Sequence, residues 1–141
     1  MCIRDRSDTG NWPSQNLNIE NSRYSTLDQI NTSNVNQLNM LWSFEPGLRD
    51  DIAQVTPLVV DGVMYRPSRA TMYALDATTG EELWRRTLDS GPANGPVRGS
   101  TYAEGRVYAY RGADLYAFDA ETGAAVASFG DSGFLLSLIH I

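Results

Sequence analysis

A shift of 43 residues, made without a gap, lays one part of this chain over another. It brings Gly62 onto Gly105, Tyr65 onto Tyr108 and Ala70 onto Ala113. The densest agreement runs from Tyr73 to Gly80 and from Tyr116 to Gly123, where Tyr, Ala, Asp, Ala, Thr and Gly recur in step. An apolar Tyr-Ala-Leu or Tyr-Ala-Phe triplet supplies a strand, and Asp-Ala-x-Thr-Gly turns the chain. Asp accepts backbone N–H groups inside a tight turn, and Gly takes the positive φ that a Cβ resists. Leu83 and Trp84 then open a return strand, with Trp84 as a bulky plug against a neighbouring element. This turn accounts for Asp76 and Asp119, and neither is assigned a catalytic role.

The rest of the period is also strand. Leu58 to Tyr65 reads as a hairpin, two β-rich arms joined by Asp61-Gly62, the favoured two-residue turn. Its echo is Thr101 to Tyr108 around Glu104-Gly105. A third strand ends in Tyr73 to Leu75 and a fourth starts near Leu83. Four antiparallel strands in a period of forty-odd residues is the arithmetic of a β-propeller blade. Such an element cannot bury both of its faces alone and must stack on others. The expected fold class is therefore all-β: a partial β-propeller of about two four-stranded blades with an irregular N-terminal lead-in. In the second copy Ala127 stands where Trp84 would recur, so the plug there is missing or displaced.

The lead-in runs from Ser7 to about Leu38 and is rich in Asn and Ser, a composition suited to irregular surface structure. Thr32 or Ser33 is expected to cap one short helical turn ending near Leu38. Met40 to Phe44 reads as a strand. Trp42 stands 42 residues before Trp84, and so is expected to close a preceding blade as Trp84 closes its own.

The two ends read as foreign. Met1 to Arg6 can be written ATG TGT ATA AGA GAC AG, and the reverse complement, CTG TCT CTT ATA CAC AT, reads Leu-Ser-Leu-Ile-His-Ile, which is Leu136 to Ile141. One oligonucleotide similar to the transposase end used for sequencing libraries encodes both. Residues 1–6 and 136–141 are therefore set aside as adapter-derived, leaving 7–135 for the fold; the alternative is an ordinary N-terminus and an apolar C-terminal strand. Cys2 and His140, the single cysteine and histidine, lie in those ends, and the chain has no lysine. What remains offers no Cys/His metal site, no Ser-His-Asp triad and no disulfide. Between the set-aside ends stand nine arginines and sixteen acidic residues, a formal charge of −7. That sign, with scattered Arg, argues against a nucleic-acid partner.

Taken in order, the motifs resemble those of the pyrroloquinoline quinone (PQQ) dependent dehydrogenases, the quinoprotein alcohol and glucose dehydrogenase family. The resemblance rests on Trp12, Arg23-Tyr24-Ser25, Leu27-x-x-Ile30, Asn34-Val35-x-x-Leu38 and Trp42-Ser43-Phe44. It continues through Thr56 to Tyr65, the Ala74 to Trp84 repeat, Arg98-Gly99-x-x-Tyr102 and Phe129-Gly130-x-x-Gly133. The repeat alone is common to many propellers, and the ordered lead-in with Arg-Gly-x-x-Tyr is the specific part. A non-catalytic propeller scaffold binding protein partners in the cell envelope is the alternative, and it has no need of that lead-in.

The resemblance implies an N-terminal fragment of an eight-bladed propeller, periplasmic placement, and PQQ held near the axis with calcium. It implies oxidation of an alcohol or a sugar by hydride transfer to the quinone, with an electron acceptor such as cytochrome c or ubiquinone. Two residues match positions that face PQQ. Arg98 would pair with a cofactor carboxylate, a task suited to a permanently charged group that forks two hydrogen bonds. Gln54 stands where members of the family often carry Glu. No cysteine lies between Gly91 and Val97, so the adjacent-cysteine disulfide of many alcohol-oxidising members is absent. The family's calcium ligands and catalytic Asp lie further along than this chain reaches, which leaves no catalytic or metal residue to assign and makes the fragment inactive by expectation.

Overall fold

The computed structural model describes residues 10–46, 55–68, 70–88 and 99–136. Two four-stranded antiparallel meanders make up the body. The first contains β1 (Leu58–Val60), β2 (Val63–Ser68), β3 (Thr71–Asp76) and β4 (Glu82–Thr87). The second contains β5 (Thr101–Ala103), β6 (Arg106–Arg111), β7 (Asp114–Asp119) and β8 (Phe134–Leu136). The expected pair of blades is what forms.

The hairpin turns take the conformation their residues favour. Asp61 and Gly62 both adopt positive φ, as do Glu104 and Gly105. Each hairpin is pinned to the next turn of its own sheet, Ala77 N–H donating to Gly62 O and Ala120 N–H to Gly105 O, both at 2.9 Å. In the Asp-Ala-x-Thr-Gly turns, Asp76 Oδ1 accepts from the N–H groups of Thr78 and Thr79 at 2.8 Å. Asp119 Oδ1 accepts from the N–H of Thr122 at 2.8 Å and from its hydroxyl at 2.7 Å. These donors favour the ionised carboxylates and hold both Asp pKa values below the ordinary range.

The core lies between the sheets. Tyr65 and Trp84 on one blade meet Val107, Ala109, Phe118 and Ala120 on the other. Trp84, 7% exposed, rests on Gly123 and donates its indole N–H to Ala120 O at 2.9 Å. Trp42 does the same one blade earlier, lying on Gly80 and donating to Ala77 O at 3.2 Å. The role expected of Trp42 is thus filled, although the strand expected over Met40 to Phe44 is not. That segment has no ladder partners among the described residues, and Met40 and Leu41 stand 83% and 84% exposed. A strand assignment needs a neighbour to pair with, and the indole docks without one.

Two further expectations are resolved. The short helical turn is a 3-10 turn, Val35–Gln37, whose N-cap is Asn34 and not Thr32 or Ser33. Asn31 takes the Ser33 N–H and hydroxyl instead, so the local Asx hydrogen bonds outcompete a Thr or Ser cap. In the second blade the plug is displaced, as the sequence allowed. Phe129 packs edge-on against Tyr108 at 5.6 Å, the place that Trp84 takes beside Tyr65 at 6.0 Å. Finally, Leu136 pairs with Asp114 at the end of β8, one residue into the set-aside end. Ladder pairing uses backbone groups and asks nothing of a side chain's origin.

Candidate functional site at the start of the inner strands

Each meander has two ends. The turns at 61–62, 77–80, 104–105 and 120–123 share one end, and β1 and β5 begin at the other. Gln54 and Arg98 both precede inner strands, and so belong in sequence to that second end. Both lie outside the described residues, as do Met1 to Arg6 and the stretch from Gly91 to Val97. Their immediate neighbours, Val55 and Gly99, are placed.

What the sequence missed is the route of the lead-in. It lies along the free edges of both inner strands. Asn11 and Asp61 exchange two hydrogen bonds of 3.0 Å, side chain to side chain and side chain to backbone. Trp12 bridges Val59 in both directions, its N–H donating at 2.6 Å and its carbonyl accepting at 3.1 Å. The chain then crosses to the second blade, where Tyr102 N–H donates to Pro13 O at 2.8 Å and Ser14 bridges Thr101. It arrives with Gln15 over Gly99, where a Cβ on the glycine would stand 3.1 Å from Gln15 Oε1. Only the placement of Pro13 hinted at this: a residue without an N–H suits an edge.

Two donors near this edge are unspent. Trp12 Nε1 and the hydroxyl of Ser100, which is 2% exposed, are buried without a hydrogen-bond partner. A buried polar group without a partner is costly, so such atoms mark places built to meet something. Charge separates the ends further. The turn end carries Asp61, Asp76, Glu81, Glu82, Glu104, Asp119 and Glu121, with Arg106 beside the 104–105 turn and Arg86 on the carbonyls of Thr122 and Gly123. The strands and turns of the opposite end carry Arg66, Arg111 and Asp114, with Glu45 on the segment packed beside Tyr73.

A cleft of about 430 Å³ does open at the acidic end, lined by Tyr65, Tyr102, Asp61, Asp119 and Glu121 among others. Tyr65 donates to Ala120 O at 3.2 Å. Burial first, then the neighbouring Tyr102, Asp61 and Asp119, raise its pKa to about 12. A phenol so held is a neutral hydrogen-bond donor and not an acid catalyst at neutral pH. Among the described residues no group of three His, Cys, Asp or Glu side chains gathers as a metal site requires.

Stacked four-stranded meanders, with Trp indoles seated on the glycines of the next blade, define the β-propeller class. The model of the glucose, ethanol and alcohol dehydrogenase β-propeller domain, named PQQ, matches residues 12–138. The dehydrogenase subunit of the quinone alcohol dehydrogenase of Gluconobacter oxydans is 39% identical over 129 residues, covering 84% of this chain and 17% of the relative. A lanthanide-dependent methanol dehydrogenase of Methylorubrum extorquens is 36% identical over 121 residues, covering 77% of this chain and 20% of the relative. Among solved structures, the quinohemoprotein alcohol dehydrogenase of Pseudomonas putida superimposes with a TM-score of 0.74 at 37% identity, covering 81% of this chain and 18% of that one. This chain belongs to the PQQ-dependent alcohol and glucose dehydrogenase family, and spans about a fifth or less of the length of these relatives.

Proposed function

We propose that this chain is the opening portion of a PQQ-dependent dehydrogenase that oxidises an alcohol or a sugar. The observation that carries this reading is the family match, which takes in the lead-in as well as the repeats. The geometry supports it: the lead-in is hydrogen-bonded to both inner strands and reaches the residue next to Arg98. Trp12 Nε1 and Ser100 Oγ, both buried without partners, are donors of the kind a carboxylate-bearing quinone takes.

In this reading PQQ supplies the electrophile that accepts hydride from the substrate carbon. Arg98 would hold a cofactor carboxylate, a task for which a forked, charge-assisted pair of hydrogen bonds suits a guanidinium. Gln54 would donate its amide to a quinone carboxylate without adding charge. Calcium beside the quinone, a periplasmic site of action and transfer of electrons to cytochrome c or ubiquinone belong to the same proposal. No side chain of this chain is assigned to proton abstraction or to metal, so the segment from Ser7 to Leu135 is inactive by itself.

Equilibrium binding of PQQ to the complete protein that carries this chain tests the reading. Arg98→Ala should weaken binding by about 10- to 100-fold, the usual scale for a hydrogen bond to a charged group. Unchanged affinity would remove Arg98 from the site. PQQ-dependent dye reduction by the segment from Ser7 to Leu135 alone would contradict its assignment as a non-catalytic part.

A further inference from the structure

We infer that residues 40–44 are the fourth strand of a further blade, and that the strand missing from their free edge is supplied by the last repeat of the complete protein. The two ends of one polypeptide then meet at Trp42. The inference does not rest on the quinone reading, since a propeller of any function would close in the same way.

Its basis is a position-by-position match with β4. A shift of 42 residues lays Leu41 and Trp42 on Leu83 and Trp84. Each indole lies on the turn glycine of the sheet that follows it: a Cβ at Gly80 would stand 2.6 Å from Trp42 Cδ2, and one at Gly123 2.7 Å from Trp84 Cδ2. Each donates its Nε1–H to the corresponding carbonyl of that turn, Ala77 O or Ala120 O. Phe44 adds an edge-on contact with Tyr73 at 5.0 Å, and Tyr73 donates its hydroxyl to Pro46 O at 3.3 Å. From Leu41 to Pro46 exposure alternates residue by residue, with Trp42, Phe44 and Pro46 the more covered. That period of two belongs to a strand. What β4 has and this segment lacks is a neighbour. β4 pairs with β3, Trp84 opposite Ala74 and Arg85 opposite Tyr73. Among the described residues no backbone group of residues 40–45 bonds to another backbone group, and Leu41 is 84% exposed against 51% for Leu83.

Three inner strands are wanting, and the described lead-in does not supply them. Within residues 10–37 the one regular element is the 3-10 turn Val35–Gln37, and Trp12 and Ser14 are spent on Val59 and Thr101. The two sheets succeed one another away from Trp42, and the chain spans about a fifth or less of its relatives' length, which leaves room for many more repeats. Blades set around an axis return to where they began, so the last repeat arrives beside residues 40–44. An unpaired edge flanked by apolar side chains is a template for one more strand. The register of β3 and β4 sets the fit: a small residue, as Ala74 is, opposite Trp42, and the counterpart of Tyr73 opposite Ser43.

Two measurements on the complete protein test this. Hydrogen exchange read by mass spectrometry should show residues 41–44 exchanging as slowly as residues 84–87 of β4, within about tenfold. With the photo-cross-linker p-benzoylphenylalanine placed at Leu41, irradiation of the dilute purified protein should join position 41 to the last repeat of the same polypeptide. Exchange at 41–44 as fast as at residues 17–22 would overturn the inference without any variant. A cross-link to a second copy, to an earlier repeat or only within residues 10–136 would overturn it as well. Neither readout involves PQQ, so failure of the Arg98 reading would leave both results standing.

Discussion

Adding one methyl group at Gly123 should be far more damaging than adding it at Gly105. Both glycines have positive φ, +69° and +73°, so an alanine at either place carries the same backbone strain. That strain is about 1–2 kcal/mol for a left-handed L-residue. Around Gly105 nothing lies within 4 Å of the new Cβ, and the strain is the whole cost. At Gly123 the methyl would sit 2.7 Å from Trp84 Cδ2 and 2.8 Å from Cε3, well inside contact distance. The indole cannot retreat, being wedged between Tyr65 and Phe118 and bonded to Ala120 O. Overpacking of this kind costs a further ~1–3 kcal/mol. With a urea m-value of about 2 kcal/mol/M, the Gly123→Ala midpoint should fall about 0.5–1.5 M below that of Gly105→Ala. Urea unfolding of this chain followed by tryptophan fluorescence is the assay. Equal midpoints for the two variants would refute the claim that the blades are locked by an indole seated on a glycine.

The ionisable groups give two more expectations. Asp76 and Asp119 have pKa values lowered by turn N–H groups and the Thr122 hydroxyl, so the folded state binds fewer protons than the unfolded one in acid. Their contribution is complete above the ordinary carboxylate range, about pH 4, and is lost as pH falls through the lowered values; a urea midpoint that stayed flat from neutral pH to pH 2 would disprove it. Tyr65, raised from the ordinary 10 to about 12, works in the opposite direction. Its contribution is complete below pH 10 and disappears as pH rises towards 12. Phenolate absorbance should show one tyrosine ionising last, and Tyr65→Phe should abolish that step.

The repeat was legible because its turns are local. Asp61-Gly62 and Asp76 to Gly80 encode their conformation within a few residues, so no distant partner had to be known. Trp42 was legible for a similar reason, since its spacing from Trp84, 42 residues, is within one of the 43 that separate the glycines they cover. Phe129 was harder. It lies two residues beyond the aligned place at Ala127, and the register that brings it to Tyr108 depends on a loop with no counterpart in the first blade. The strand expected at Met40 to Phe44 failed because apolar content shows what a segment is suited to, while pairing depends on a neighbour. Of the candidate site, the composition of Arg98-Gly99 could be read but the residue pressed against Gly99 could not. Gln15 is 84 residues away, and nothing in a polar Asn-rich stretch marks it.

The route of the lead-in fixes an order of assembly. Trp12 must wait for Val59, 47 residues later, and Ser14 for Thr101, 87 residues later. A segment made before either blade is thus among the last to find its place, since closing such long loops is slow until the strands they join exist. During synthesis the Trp12 indole, part-buried in the fold, remains uncovered, and a chaperone that recognises apolar side chains would meet it before the blades do.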